Sequence, residues 1–142
     1  MKTIQQTLSL ATRAPIELID ITTRVREAVT AAGFREGLVT LISPHTTAYV
    51  NLNESESMLQ QDMLDFLQKL APRDRDYLHN RAPVDDRDNA HAHLIGLLMT
   101  ASVSIPLVEG RLLLGAWQSI FFIELDGPRP ARQLHLHLLG QV

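Results

Sequence analysis

The longest apolar stretch of the chain, residues 112–125, constrains the fold more than any other feature. Gln118, Ser119 and Glu124 interrupt this stretch, so it is too short and too polar to cross a membrane as a helix. Its pattern predicts a strand over residues 111–125 that is apolar on both faces. Such a strand belongs in the middle of a sheet or at a contact between subunits.

The remaining apolar periodicity predicts strands and helices that mix without strict alternation. Further strands are predicted over residues 4–10, 16–21, 38–42, 48–52, 103–108 and 133–139. Helices are predicted from Thr22 or Thr23 to just before Gly33, from Ser57 to just before Pro72, and over residues 89–101. Residues 73–87 are polar and predict a loop with at most one short helical turn.

The order of these elements predicts the fold class. Glu109 and Gly110 favour a two-residue hairpin turn between the strands on either side of them. Hairpins and unsegregated helices favour an α+β fold rather than an alternating parallel one. We therefore expect a single compact domain over residues 1–142, with mainly antiparallel, sandwich-like sheets and about three helices.

The third helix carries a run, residues 94–99, that is apolar on every side. A helix that is apolar all round is normally buried all round. This helix and the doubly apolar strand together need more burial than 142 residues easily provide. They favour association of several copies of the chain.

Composition excludes several classes of function. The formal net charge is -3 and the basic residues form no stripe, so neither nucleic acid nor a membrane surface is an expected partner. The chain has no cysteine, which excludes disulfides, thiolate nucleophiles and Cys-ligated zinc. An N-terminus without an apolar run predicts no signal peptide, and we expect a cytoplasmic protein.

Three separate segments each place an imidazole beside oxygen-bearing side chains. These segments are residues 43–48 (Ser-Pro-His-Thr-Thr-Ala), 77–79 (Tyr-Leu-His) and 88–93 (Asp-Asn-Ala-His-Ala-His). Loops and element ends are where a fold exposes reactive groups on a rigid support. If the fold brings the three segments together, they predict a metal site or an acid–base site.

The first segment and the strand after it carry further polar candidates. Thr46 and Thr47 could donate to an oxyanion such as phosphate, or could satisfy backbone groups of a turn. Asn53 and Glu54 follow one short strand later. They either lie near the sheet end opposite the loop or cap the next helix.

Spacing limits which histidines can act together. His91 and His93 lie about 200° apart around a helix axis, so they cannot both bind one ion. His93 and Asn89, four residues apart, share a face. His135 and His137 share one face of a strand, so chelation is possible. The alternating leucines around them also fit a half-buried strand with a polar outer face.

Three polar residues stand out within apolar segments. Asp62 lies on or beside the buried stripe of the second helix, where it would need a partner, unless it reaches water at the margin. Gln118 and Glu124 share one face of the predicted strand. They either line a polar pocket or mark where the strand leaves the core.

Several motifs follow one another along nearly the whole chain. They are Ser43-Pro44-His45-Thr46-Thr47-Ala48, Asn53-Glu54, Asp62, Tyr77-x-His79, Ala92-His93, Gly110-Arg111-Leu112-x-Leu114-Gly115-x-Trp117-Gln118-x-Ile120 and Glu124-x-Asp126-Gly127-Pro128-Arg129. This ordered combination resembles the YjbQ-like family, which is described as secondary thiamine-phosphate synthase. The resemblance implies a compact α+β fold with antiparallel sheets, a homotrimer, and a polar, metal-binding pocket where three histidines gather.

The resemblance also implies roles for individual residues. It implies metal ligation by His45, His79 and His93. It implies catalytic or orienting roles for His45, Glu54, Asp62 and Gln118. Substrate contacts are predicted for Ser43, Thr46, Thr47, Asn53 and Asn89, and Arg129 either holds a phosphate or only fixes a turn.

The chemistry of this residue set leaves three functions open. Three imidazoles with an open position suit zinc, whereas magnesium prefers oxygen ligands. A weak thiamine-phosphate synthase would expel pyrophosphate, a displacement that generally uses magnesium. The ligand set also fits a metal-dependent hydrolase of a small phosphorylated or ester metabolite, with Glu54 or Asp62 as general base. A non-catalytic trimer that captures a small ligand is the third possibility.

Overall fold

The computed structural model describes residues 1–142 and contains eight strands and four helices. The strands are β1 (Lys2–Leu10), β2 (Glu17–Asp20), β3 (Glu36–Ile42), β4 (Ala48–Asn53), β5 (Ser102–Val108), β6 (Arg111–Leu112), β7 (Ser119–Glu124) and β8 (Arg132–Gln141). The helices are α1 (Thr22–Ala32), α2 (Ser57–Leu70), α3 (Leu78–Arg81) and α4 (Ala90–Gly96). None of the four helices has the length and hydropathy needed to span a bilayer.

The strands form two antiparallel sheets. One sheet has five strands in the order β1-β8-β3-β5-β6, and the other has three in the order β2-β7-β4. Every strand pair is antiparallel. The predicted α+β fold is confirmed, and the fourth helix is α3, the short helical turn predicted within residues 73–87.

The main core lies between the two sheets, as in a sandwich. Its buried side chains include Val39 and Leu136 from the five-stranded sheet and Phe122 from the three-stranded sheet. A second, smaller core covers the other face of the three-stranded sheet, where Phe121 packs with residues of α2 and α4. Strand β7 is therefore the middle strand of its sheet and buries both faces, as its sequence predicts.

The single strand predicted over residues 111–125 is wrong in its extent. Residues 111–112 form β6 in the larger sheet, whereas residues 119–124 form β7 in the smaller one. The six residues between them carry the chain from one sheet to the other. Gln118 lies in this connection, so it does not share a strand with Glu124.

The burial predicted for the third helix on every side is not reached within one chain. Helix α4 ends at Gly96 rather than at residue 101, and only one side of it packs on the smaller core. Leu97 and Leu98 are exposed. A helix lying on the outside of a two-layer fold has one solvent side, whatever residues occupy it.

Helix and turn boundaries follow local chemistry. Gly33 ends α1 in the left-handed conformation (φ 71°), as predicted. Helix α2 is capped by Glu56, whose carboxylate accepts hydrogen bonds from the amides of Met58 and Leu59, and not by Ser57. Glu109 and Gly110 both have positive φ, as the turn of the β5–β6 hairpin requires.

Candidate functional site

An open, polar cavity of about 400 Å³ lies at one end of the sandwich, and we call it the polar cavity. It is lined by Pro44, His45, Thr46, Thr47, His79, Val84, Asp85, Asn89, His93, Arg129 and Arg132. The three histidines come from the β3–β4 loop, from α3 and from α4. The fold therefore brings the three imidazole-bearing segments to one place.

His45 is fixed by a backbone hydrogen bond. The amide N–H of Gln133, on β8, donates to Nε2 of His45 at 2.9 Å. Since Nε2 accepts this bond, the neutral ring carries its proton on Nδ1. Burial and then the positive charge of Arg132 hold the pKa of His45 below its usual value. His45 is therefore a neutral imidazole with an Nδ1–H donor at the cavity.

His79 is oriented by a chain of hydrogen bonds that ends at Asp126. Asn89 donates its Nδ2 group to the Asp126 carboxylate at 3.0 Å. Asn89 Oδ1 is therefore the acceptor for Nε2–H of His79, at 3.1 Å. In the neutral ring, Nδ1 of His79 then keeps its lone pair and is available as a base or ligand.

His93 completes the set of cavity imidazoles. Its ring meets the ring of His79 edge to face, with centroids 5.0 Å apart. Asn89 lies four residues earlier and lines the same cavity, as the helical spacing predicts. His91 is buried, does not line the cavity, and has burial as the main cause of its lowered pKa.

Asp126 is a buried anionic hub behind the cavity. Arg87 and Arg129 donate to its carboxylate at 2.9 and 2.8 Å, and Asn89 adds a third contact. Burial alone would raise the pKa of Asp126, but these hydrogen bonds lower it to about 2. The hub holds Arg129 and Asn89 in place at the cavity wall.

Glu124 and Arg132 form a second buried charge pair. The Glu124 carboxylate is fully buried and accepts two hydrogen bonds from Arg132, at 2.6 and 2.8 Å. Thr12 and the Asp126 amide satisfy its remaining acceptor positions. Burial opposes ionisation, but these bonds hold the pKa of Glu124 below its usual range. The sequence predicts that Glu124 either lines a polar pocket or marks where the strand leaves the core. It is buried directly behind the polar cavity and does not line it.

The two arginines of the wall each keep one free nitrogen. Arg129 uses Nε and Nη2 on Asp126. Arg132 uses Nε and Nη2 on Glu124 and on the Thr47 hydroxyl. The Nη1 groups of both residues make no hydrogen bond within the protein and are not completely enclosed. Both arginines line the polar cavity, so each Nη1 group is a candidate donor to a ligand there.

Four of the predicted site residues lie away from the polar cavity. Asn53 pairs with Ser119 at one end of β7, whereas the cavity lies beyond the other end, where Ala48 pairs with Glu124. The two ends are five residue steps apart along the strand, which is a distance of roughly 17 Å. The other three are Glu54, Asp62 and Gln118, which are exposed and absent from the cavity lining.

Asp62 and three other polar residues singled out by the sequence are placed outside the polar cavity. Asp62 is solvent-exposed on α2, so it reaches water at the margin of the buried stripe. Ser43, predicted to contact substrate, does not line the polar cavity: it is buried and donates to the Ala48 carbonyl at 2.6 Å, which closes the loop that carries His45. His135 and His137 lie on the outer face of β8, between buried leucines. That face is the polar outer surface that the leucine alternation predicts.

His79 and His93 lie side by side, but the side chains around them do not form a metal site. No group of three His, Cys, Asp or Glu side chains is arranged so that it could hold a metal ion. His79 and His93 are adjacent and Asp85 lines the same cavity, whereas Nε2 of His45 is occupied by the Gln133 amide. Metal binding stays a prediction.

Sequence reasoning missed the arginines that organise the site. Arg132 and Arg87 match none of the polar clusters, because arginine is common on surfaces and its burial cannot be read from one sequence. One signal was available: Glu124 is the last residue of a doubly apolar strand, and Asp126 lies two residues after it. Two acids at that position require cationic partners if they are buried.

Known proteins match this chain over nearly its whole length. A model of the family described as "UPF0047 protein YjbQ-like" matches residues 6–141. A UPF0047 protein of Archaeoglobus fulgidus is 43% identical over 125 residues, which are 88% of this chain and 94% of that protein. The UPF0047 protein YugU of Bacillus subtilis is 32% identical over 95% of this chain and 98% of its own.

Solved structures share the whole fold. A YbjQ-like protein of Sulfolobus solfataricus superposes with a TM-score of 0.92 at 35% identity, over 99% of both chains. A protein of Aeropyrum pernix superposes with a TM-score of 0.87 at 39% identity, over 99% of this chain and 100% of that one. Motif order, family model and fold agree, and the chain belongs to the UPF0047 (YjbQ-like) family.

Proposed function

We propose that the polar cavity binds a small phosphorylated substrate and that its histidines assist a group transfer, of the thiamine-phosphate synthase type that the resemblance implies. One observation carries this proposal: His45, His79 and His93 line one cavity together with Arg129 and Arg132, whose Nη1 groups make no hydrogen bond within the protein. Guanidinium N–H groups are well suited to phosphate oxygens. Thr46, at the same wall, adds a hydroxyl.

The fixed rings of His45 and His79 suit opposite roles. His45 presents an Nδ1–H donor because the Gln133 amide occupies its other nitrogen. His79 presents a lone pair because Asn89, held by Asp126, accepts its Nε2–H. A donor and a base on one cavity are the elements of general acid–base catalysis, which a hydrolysis would use, whereas the thiamine-phosphate transfer would use only the donor.

In the transferase reaction, the thiazole nitrogen would attack the methylene carbon of the pyrimidine half. A C–N bond forms, the C–O bond to pyrophosphate breaks, and the electron pair leaves on the pyrophosphate oxygen. The step needs no net proton. His45 Nδ1–H and the arginine Nη1 groups would stabilise the negative charge that develops on the leaving group.

The proposal is tested by activity of matched histidine variants. Thiamine-phosphate formation from the two half-substrates should fall at least roughly 100-fold in His45→Ala, the usual cost of losing an acid–base or oxyanion contact. His137→Ala, on the outer sheet face, is the control and should keep full activity. Equal activity of His45→Ala and the wild type, in the assay and in rescue of a strain lacking its main synthase, would remove His45 from the reaction.

A metal-dependent hydrolase is the second candidate, favoured by the edge-to-face contact of His79 and His93 beside Asp85. Imidazole donors suit zinc, whereas Asp85 is the only carboxylate of the lining for magnesium. His45 would join the ligand set only if its bond to the Gln133 amide broke. A bound zinc would supply Lewis-acid activation of the substrate.

Metal analysis decides this second candidate. We expect zinc to bind the wild type at about one ion per chain and His93→Ala more weakly, with His137→Ala unchanged. A screen of small phosphate and ester substrates, with and without a chelator, would follow. A chain that binds no zinc and shows no chelator-sensitive hydrolysis contradicts it.

A further inference from the structure

A second cavity lies directly beside the polar one. This apolar cavity has a volume of about 430 Å³ and is lined by Tyr77, Leu78, His79, Ala90, His93 and Leu94. His79 and His93 line both cavities. The edge-to-face histidine pair is therefore the wall at which a polar compartment and an apolar one meet.

The walls of the apolar cavity are held in place. The Tyr77 hydroxyl donates to the Pro72 carbonyl at 2.8 Å, which fixes the ring. The Ala90 amide donates to the Asn80 side chain at 3.1 Å, which joins the start of α4 to α3. These contacts hold the two sides of the cavity at a set distance.

Two leucines of the apolar cavity are exposed to solvent beside the histidines that it shares with the polar cavity. Leu78 is 78% exposed and Leu94 is 43% exposed. Single exposed leucines are common on protein surfaces and need no explanation. These two line a cavity together with an aromatic ring, and covering them with an apolar group removes apolar area from water.

We infer that the substrate is an organic phosphate with two parts: a phosphate in the polar cavity and a flat or apolar group in the apolar cavity. The bond between the two parts then lies against His79 and His93, the residues common to both compartments. This inference rests on the proposed function, because it needs the polar cavity to hold phosphate. It adds that the α3–α4 leucines select the organic part.

Two simple phosphates separate the two compartments. Calorimetry would measure the binding of methyl phosphate and of phenyl phosphate, which share the charged group and differ in the ring. We expect phenyl phosphate to bind roughly tenfold more tightly, from burial of one face of the ring and its edges. Leu78→Ser and Leu94→Ser should lose most of this advantage without changing the affinity for methyl phosphate.

Leu97→Ser is the matched control. Leu97 is 79% exposed, close to Leu78, and lies at the end of α4 outside both cavities. It should keep the full preference for phenyl phosphate. Because Leu78 is so exposed, Leu78→Ser is not expected to affect folding.

The outcomes distinguish this inference from the proposed function. If neither phosphate binds, the phosphate-binding proposal fails and this inference fails with it. If methyl phosphate binds and the ring adds nothing, or Leu78→Ser keeps the preference, only the two-part substrate is overturned. If Leu78→Ser changes the sedimentation of the protein and not its ligand preference, the leucine serves a contact between copies and the inference is overturned.

Discussion

At the scale of single residues, buried charge organises this site. Asp126 and Glu124 are buried carboxylates, and each is neutralised by arginine. Breaking such a pair leaves a charge without a partner, which costs more than the pair itself contributes. The same carboxylates set the positions of Arg129 and Arg132, and through Asn89 the tautomer of His79. Stability and site geometry therefore depend on the same contacts.

We expect Asp126→Asn to lower the free energy of unfolding by roughly 2 kcal/mol at neutral pH, because the pKa of this carboxyl is about 2 in the folded protein against 3.8 otherwise. A carboxyl with a lowered pKa stabilises the fold above its unfolded pKa, and this stabilisation is lost as the pH falls through about 2. The difference between variant and wild type should therefore narrow from pH 4 towards pH 2. Chemical denaturation at several pH values measures it.

Asp88→Asn is the control for this experiment. Asp88 is exposed and makes no ion pair, so its substitution should change stability little at any pH. If Asp126→Asn unfolds like the wild type at pH 7, or if its deficit is undiminished at low pH, the Asp126 contacts with Arg87 and Arg129 do not stabilise the fold as described.

At the scale of elements, the boundaries decide which side chains reach the cavity. The loop between β3 and β4 crosses from one sheet to the other, and the Ser43 hydroxyl closes it. The short helix α3 turns His79 towards α4. Helix α4 directs His93 into the cavity and His91 into the protein interior, because two residues along a helix reverse the direction of a side chain.

The start of α2 gives a test at this scale. Glu56→Ala should lower the melting temperature by roughly 3 °C, because two amides of the first turn lose their acceptor. Ser57→Ala, one residue later, should leave it unchanged. Thermal unfolding followed by circular dichroism measures both. If Ser57→Ala lowers the melting temperature and Glu56→Ala does not, Ser57 and not Glu56 is the cap of the helix.

At the scale of the whole molecule, the chain leaves apolar surface uncovered. Leu98, Leu113 and Trp117 are exposed, so the burial that their sequence context predicts is not completed within one chain. The resemblance implies a homotrimer, and these side chains are candidates for its contacts. Asn53 and Gln118 lie at the far end of β7, so neither reaches the polar cavity of its own chain.

We expect sedimentation at micromolar concentration to give three chain masses, because large exposed apolar side chains favour contacts between copies. Trp117→Ser should weaken the assembly, since it removes the largest of these side chains, whereas Ser104→Ala on the outer sheet face should not. A stable monomer of the wild type contradicts the trimer.

Much of the fold could be predicted from local pattern. The alternation of β8, the helical spacing of α2, the left-handed Gly33 and the Glu109–Gly110 turn each depend on neighbouring residues. The predictions from local pattern are wrong where contacts between distant residues decide the structure. The apolar pattern of residues 111–125 predicts one strand, because such a pattern cannot show that the chain leaves one sheet for another. Residues 94–99 read as buried because apolar character does not show which side faces solvent.

Sequence alone determined the type of each element and the segments that carry imidazoles, because these follow from periodicity and residue chemistry within a few positions. Only the tertiary structure decided that β6 and β7 belong to different sheets, and that His45, His79 and His93 meet arginines at one cavity. The physical reason is that burial and charge pairing act between residues far apart in the chain. Arg87 and Asp126, for example, are 39 residues apart in the sequence and pair at 2.9 Å only in the folded chain.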